Sequence, residues 1–537
     1  MIAALKTKRY VNETKLRIEY NIPSYILDVK TETELAEMIL KIPENPWAFY
    51  DKEIGFTINL CERLADKFQI SNEYEAAKAY LQYSIDKVAE QGHTYAKEWQ
   101  VLHILKNKGL SDYYIQKAID FLSKTNVLFI SDKKNYFLSK YFNAEQNFAY
   151  LLKEHDKRNG YATGFYKDYS FLYDELNTTQ QQVVDAIEYN SLIIFTGLPG
   201  TGKTTTVRAI VDSYGSRNIR LFAPTGKAAS RMTELCGIQA STLHSFFLNP
   251  FGEILENTII IIDELSMCDV EIAGQLQRLI GNGCVLLLIG DPDQLPSVGP
   301  GEVLQDVIDS GIGIRYHLNQ VMRTKPGSIL NSAISIHNNC NVICGPDKEV
   351  ITYYPNTWDL EKITSRLLIH PEWRDAAILC CLKEKGSKII NDCAKKIFHP
   401  NSSSNFNVGD KVIHTKNNRD LGVFNGEQGS VLKINERIML VEFKDKIIEY
   451  PRQFFWQLEL AHCITVHKSQ GSEYDKVIFF MQPSQITNKN LIYTAVTRTK
   501  SKLLILAPSE KSLLDGIQTK QKPRQTSLKW LLQKRIK

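Results

Sequence analysis

Gly197-Leu-Pro-Gly-Thr-Gly-Lys203-Thr204 follows the apolar run Ser191–Thr196 and precedes a segment with helical spacing. The pattern is that of a P-loop, in the strand–loop–helix setting the motif needs. Glycines let successive backbone N–H groups wrap a phosphate, and the helix that follows aims its positive end at the same anion. Lys203 is expected to reach the β- and γ-phosphates, and the Thr204 hydroxyl to ligate Mg²⁺. Gly197, Gly200, Thr201, Gly202 and Thr205 complete the expected phosphate cradle.

Working outward, Thr258-Ile-Ile-Ile-Ile-Asp263-Glu264 is an apolar strand ending in two carboxylates. Open α/β sheets place ligands at such strand ends. Asp263 is expected to hold Mg²⁺, and Glu264 to polarise an attacking water. Gly290-Asp-Pro-Asp-Gln294-Leu-Pro-Ser-Val-Gly299 ends another apolar run, and neutral Gln294 suits contact with both γ-phosphate and water. Arg323 and Arg498 lie further on, where an arginine from a second domain stabilises charge on a transferring phosphoryl group. These are the candidate catalytic residues: Lys203, Asp263, Glu264, Gln294, Arg323 and Arg498.

Short β-rich runs alternate with helical segments from Leu176 onward: Leu192–Thr196, Arg220–Pro224, Thr258–Asp263 and Val285–Gly290. A second such region carries Ala377–Cys381, Lys476–Phe480 and Lys502–Ala507. Alternation of this kind implies α/β architecture with parallel sheets. Phe406 to Tyr450 differs. Its Asn425-Gly426 turn signal and the alternating Ile438-Met-Leu-Val-Glu-Phe443 predict a small inserted barrel. Residues 1–170 are mainly helical by pattern. The order helix, helix, hairpin (Trp99–Lys106, Tyr113–Leu122, then Val127–Ile130 and Tyr136–Leu138) suits a winged helix or a plain helical accessory domain.

The chain's 537 residues, 43% hydrophobic and 23% charged, exclude wholesale disorder. Sixty-five Lys and Arg against 60 Asp and Glu leave a net +5, too slight to indicate a nucleic-acid partner. No apolar run approaches the length of a membrane span, and the start lacks a secretory h-region. Ten scattered cysteines form no Cys-x-x-Cys pair. A cytoplasmic, nucleoid-associated location is expected, with no membrane partner.

The motif set resembles superfamily 1 helicases, and within them the RecD-like group of subclass B, closest to its stand-alone bacterial and phage members with an N-terminal extension. Leu176-Asn-Thr-Thr-Gln180 is similar to the family's adenine-reading glutamine motif. Ala223-Pro224-Thr225-Gly-Lys227 resembles motif Ia, and Ser241-Thr242-Leu-His244 the threonine–histidine motif after it. Gly290–Gly299 resembles motif III, Leu460 to Glu473 motif V with its Ser-Gln-Gly-Ser-Glu wording, and Tyr493-Thr-Ala-Val-Thr-Arg498 motif VI.

The resemblance implies two RecA-like motor domains, ATP and Mg²⁺ as cofactors, and 5′→3′ movement on single-stranded DNA in repair, recombination or replication. It assigns residues 171–317 to motor domain 1A, with a pin hairpin at about 245–256, and 318–510 to motor domain 2A, with an SH3-like insertion at about 405–455. Residues 1–95 are similar to a degraded helix-hairpin-helix region, 96–170 to a winged segment, and 511–537 form a basic tail.

Pro224, Thr225, Lys227, Thr242, His244, Thr465 and His467 fall where similar helicases face DNA. Their hydroxyls and short polar groups suit phosphate contacts made and broken at each step. Ser245 to Leu255 places apolar residues around Asn249-Pro-Phe251-Gly252, which predicts a strand-separating pin with Phe251 at its tip. The tail carries seven Lys/Arg after Asp515 and no acid, and reads either as a DNA-binding or partner-docking helix or as a solvated frayed end. Expected partners are single-stranded DNA and its duplex junctions, and a single-stranded-DNA-binding protein or a nuclease or repair partner. Alternatives are a protein-displacing translocase or the motor subunit of a nuclease complex. An RNA helicase is disfavoured by the wording of motif V.

Overall fold

The computed structural model describes residues 11–27, 30–247, 254–318, 327–416, 418, 421–444 and 446–534. The chain divides into two compact units. One comprises Met1–Asn147, Gly299–Gly301 and Arg524–Ser527; the other holds Phe148–Val298, Glu302–Pro523 and Leu528–Lys537.

The first unit is helical with one small sheet. Its helices include Glu32–Lys41, Ile58–Phe68, Glu73–Ala89, Glu98–Asn107 and Asp112–Lys124. Local chemistry sets their starts. Thr31 forms a capping box with Glu34, and the Thr57 side chain accepts from Leu60 N at the start of the second helix. The strands β1 (Ala96–Lys97), β2 (Leu128–Ile130) and β3 (Asn135–Leu138) pair in the order β1-β3-β2. Helix Glu73–Ala89, β1, two helices, β2, turn and β3 is a winged-helix order of elements. Its first helix lies earlier in the chain than residue 96.

In the second unit β4 (Leu192–Gly197), β5 (Ile219–Ala223), β6 (Ala240–Thr242), β7 (Ile259–Ile262), β8 (Val285–Gly290) and β9 (Ile314–Leu318) form a parallel sheet ordered β6-β5-β7-β8-β4-β9. Every residue of β4, β7 and β8 is buried, as a sheet covered by helices on both faces requires. Each isoleucine of β7 contributes about 1.5–3 kcal/mol by leaving water. A second parallel sheet joins β10 (Val350–Tyr353), β11 (Ala377–Cys380), β17 (Cys463–Thr465), β18 (Tyr474–Phe480) and β19 (Thr499–Leu506) in the order β10-β19-β18-β11-β17. These are two RecA-like domains.

Between β11 and β17 the antiparallel strands β12 (Lys411–His414), β13 (Gln428–Ile434), β14 (Ile438–Phe443), β15 (Lys446–Pro451) and β16 (Leu458–Leu460) form a separate sheet with its own core. Met439, Val441 and Phe443 face inward on β14, matching the alternation in the sequence. Gly426 takes φ +90° in the turn preceding β13.

The described part of the tail, through residue 534, includes a short helix, Leu528–Gln533, with Leu528 and Leu532 buried, packed on the helix Val303–Ser310. All ten cysteines are free, and only Cys340 and Cys344 are exposed. Among the described residues no helix is long and apolar enough to cross a membrane.

Candidate active site

The loop between β4 and the helix Lys203–Tyr214 is shaped for close backbone approach. Gly200 and Gly202 hold φ of +73° and +90°, a region that side chains disfavour. A Cβ at Gly197 would lie 2.9 Å from both Leu318 Cβ and Thr201 Oγ1. The buried Thr201 hydroxyl donates to Leu198 O at 2.7 Å, so Thr201 closes the loop on itself. Lys203 Nζ donates to the carbonyls of Gly197 and Leu198, the latter at 3.0 Å.

Gln180 is fully buried. Its Oε1 accepts from Asn177 N at 3.0 Å, and its Nε2 donates to Thr201 O and Gly202 O at 3.4 and 3.3 Å. Both ends of the amide are thus engaged within the protein, tying the helix Thr178–Ala186 to the glycine loop.

Asp263 continues the ladder of β7 by donating its N–H to Phe222 O at 2.9 Å. Burial pushes its carboxyl above the usual range and neighbouring Glu264 adds to this, while Lys203 and Arg231 oppose. Glu264 takes φ +54°, a strained conformation for a non-glycine residue of the kind found at functional sites. Its N–H donates to Asp263 Oδ1 at 2.8 Å and orients that carboxylate.

Beyond β8 a hydrogen-bonded chain joins the two sheets' loops. Asp291, 1% exposed, accepts at Oδ2 from the Tyr493 hydroxyl at 2.9 Å and from Gln294 Nε2 at 3.4 Å. Gln294 Oε1 accepts from Arg498 Nη2 at 3.0 Å. Arg498, 4% exposed, also donates to Ser472 O and Thr494 O, each at 3.3 Å. Leu295 N donates to Thr494 Oγ1 at 2.8 Å, and Gln470 Nε2 to Leu295 O at 2.9 Å. Arg231 and Glu473 form an ion pair at 2.7 Å nearby.

Gly200, Gly202, Lys203, Thr204, Thr205, Asp263, Glu264, Gln294 and Arg498 all line one cleft of about 360 Å³. Arg231, Asp291 and Glu473 line it too, and the sequence reading did not single them out. Asp291 and Tyr493 stand inside quoted motifs, but a lone strand-end aspartate or a tyrosine among apolar residues carries no signal until the two meet. Arg323 lies outside the described residues.

The candidate DNA-facing residues occupy other strand ends. Pro224, Thr225 and Lys227 follow β5, Thr242 ends β6 with His244 beyond it, and Thr465 ends β17 with His467 beyond it. Each threonine hydroxyl accepts from the backbone N–H three residues on: Ala228 at 3.2 Å, Ser245 at 3.1 Å and Lys468 at 3.4 Å. Lys227 Nζ donates to Ser472 Oγ at 3.1 Å, and burial pulls its ammonium pKa down to about 8. Thr465 also lines a groove of about 690 Å³ with Lys383, Lys388, Lys395, Lys468 and Trp456. Phe251 and the turn Asn249–Gly252 lie outside the described residues.

Residues 175–340 match the family model described as AAA domain, and residues 460–506 the UvrD-like helicase C-terminal domain. The chain is similar to the ATP-dependent RecD2 DNA helicase of Deinococcus radiodurans, with 29% identity over 61% of this chain and 48% of that one. It is also similar to the RecBCD enzyme subunit RecD of Mycobacterium tuberculosis, with 26% identity over 75% of this chain and 81% of that one. The chain therefore spans about half the length of the RecD2 relative. Among solved structures, Bacteroides Pif1 bound to single-stranded DNA covers 63% of this chain and 93% of its own, with 22% identity and a TM-score of 0.43.

Proposed function

We propose that the chain is a RecD-like superfamily 1 helicase, an ATP-driven motor moving 5′→3′ on single-stranded DNA and separating duplex. The observation that carries the reading is the chain Asp291–Gln294–Arg498, which links the strand-end loop of one RecA-like domain to the helix Lys489–Thr497 of the other across the cleft that holds Lys203.

The roles follow from placement. The glycine loop presents backbone N–H groups to the triphosphate, and Lys203 exchanges its loop carbonyls for β- and γ-phosphate oxygens. Glu264 is placed to orient the attacking water and receive its proton. Arg498 neutralises charge developing on the transferring phosphoryl group, and Gln294, bonded to it, reports whether that group is still attached. Thr204 and Asp263 supply hard oxygen donors on the same cleft, with the Glu264 carboxyl beside them. They fit Mg²⁺, which keeps few protein ligands and when bound neutralises charge between β- and γ-phosphates.

Because Arg498 and Gln294 come from different sheets, phosphate contact at one end of the cleft alters the spacing of the two domains. Thr225 follows β5 and Thr242 ends β6 of the first sheet, and Thr465 ends β17 of the second, so a nucleic-acid strand gripped by both is displaced as they shift. Single-stranded DNA and its junctions with duplex are the proposed partners, 171–317 and 318–510 the motor domains, and 405–455 an SH3-like insertion. The RecD match, covering most of both chains, supports a second reading as motor subunit of a nuclease complex.

The test is an unwinding assay on 5′-tailed, 3′-tailed and RNA-containing duplexes with ATP. Unwinding from 5′-tailed DNA is expected. Activity confined to 3′ tails refutes the polarity, and DNA-stimulated ATP hydrolysis without strand separation favours the second reading.

A further inference from the structure

Arg524 occupies an unusual position for a residue in a basic tail. Its Nη1 donates to Gly299 O at 3.0 Å and to Gly301 O at 2.6 Å. Its guanidinium lies against Gly92, where a Cβ would stand 2.3 Å from Arg524 Cζ and Nε. Gly92 O in turn accepts from Gly301 N at 2.8 Å.

The residues after Arg524 are fastened as firmly. Gln525 N donates to His93 Nδ1 at 2.8 Å, and Gln525 O accepts from Thr94 N at 2.8 Å. The fully buried Glu145 accepts from Ser527 N at 3.0 Å, from the Ser527 hydroxyl, and from Thr94 Oγ1 at 2.9 Å. Three segments remote in sequence, 92–94, 299–301 and 524–527, are thus bonded into one unit.

Gly299 lies near the far end of the loop that runs from Asp291 to Glu302 and carries Gln294. At its near end that loop is held by the Asp291–Tyr493 and Leu295–Thr494 bonds. At its far end it is held by Arg524 and Gly92. A loop pinned at both ends has fewer conformations, so less entropy is lost when its side chain meets a phosphate.

We propose that Arg524 is a positioning residue for the Gln294 loop: the strap Arg524–Ser527 sets the far end of the loop, so that the rate of ATP turnover depends on the tail being docked on the N-terminal unit. The proposal rests on the ATPase reading above and adds a residue to it. It also gives the tail a role that does not require DNA contact.

The test compares full-length Arg524→Ala, Arg524→Lys and Gly92→Ala with the parent. In ATP hydrolysis with single-stranded DNA, Arg524→Ala is expected to lower kcat about tenfold, the scale of one charge-assisted hydrogen-bond pair, while KM for ATP moves less than about twofold. Gly92→Ala, whose methyl displaces the guanidinium, should reproduce this. The double variant should be no worse than either alone, and Arg524→Lys should recover part of the loss.

A lowered thermal midpoint with unchanged kcat overturns the proposal and makes the strap a staple only. Amide exchange at Gly301, measured without nucleotide, should rise in Arg524→Ala, and unchanged exchange also overturns it. If the parent itself fails to hydrolyse ATP, the functional reading falls, and the Gly301 exchange still decides the anchoring.

Discussion

The nucleotide cleft and the threonine-bearing strand ends solve opposite problems with similar polar residues. In the cleft, long side chains bond to partners far off in sequence: Arg498 to Gln294, Tyr493 to Asp291, Arg231 to Glu473. At the other strand ends, Thr225, Thr242 and Thr465 each bond an amide three residues away. The first arrangement ties loops of one RecA-like domain to those of the other. The second only fixes the shape of its own turn, leaving lone pairs and neighbouring N–H groups for a ligand that comes and goes. Lys227, beside Thr225, is the exception at these strand ends, reaching Ser472 of the second RecA-like domain.

The sharpest attempt to break this contrast is Lys203→Ala. ATP hydrolysis should fall at least about 10³-fold, while single-stranded DNA affinity, read by fluorescence anisotropy, stays within about threefold. A comparable loss of both would mean that the two regions are not separable.

Arg498→Ala and Gln294→Ala are next. Each should lower kcat about 10²-fold, and the double variant should fall well short of the product, because the residues share one hydrogen bond. Full additivity would deny the link.

Valine at Thr225, Thr242 or Thr465 should remove a local cap, costing about 1 kcal/mol of stability. It should also weaken DNA binding about three- to tenfold with KM for ATP unchanged. Serine should restore both. A raised KM would place these threonines in the cleft's network after all.

The smallest effect concerns Lys227. Its folded pKa is lowered, so its charge is lost as pH rises through about 8. Burial of that charge opposes folding below this value, and the penalty is relieved between about 8 and the ordinary lysine pKa of 10.5. Single-stranded DNA affinity should therefore drop between pH 7 and 9 by about two- to fivefold more than in Lys227→Arg, whose charge persists. Parallel pH curves would show that Lys227 makes no charged contact with DNA.

Legibility in the sequence followed the range of the interactions. The glycine loop, the strand β7 and the pair Asp263–Glu264 are written in consecutive residues, as is the alternation of β14, and each could be read directly. The strands β6, β9, β10 and β17 escaped reading. They are short, and β9 at the sheet edge is largely exposed, so no apolar run marks them. The Tyr493–Asp291 bond, the ion pair Arg231–Glu473 and the docking of Arg524 depend on residues 202, 242 and more than 220 positions apart. No local pattern announces such meetings. The tail's sequence left a docking helix and a frayed end both open, because Leu528 and Leu532, one helical turn apart, disclose their buried partner only in the fold.

The β12–β16 insertion bears on how this motor can change over time. β12 enters the insertion and β16 leaves it as antiparallel neighbours, with Val412 opposite Leu460 and His414 opposite Leu458. The two points where the parent fold is interrupted therefore lie side by side, and joining them directly would need only a short turn. The spliced module carries its own core, while Ile413 of β12 packs into the core of the host domain. A module exchanged at this seam would leave every residue lining the P-loop cleft in place.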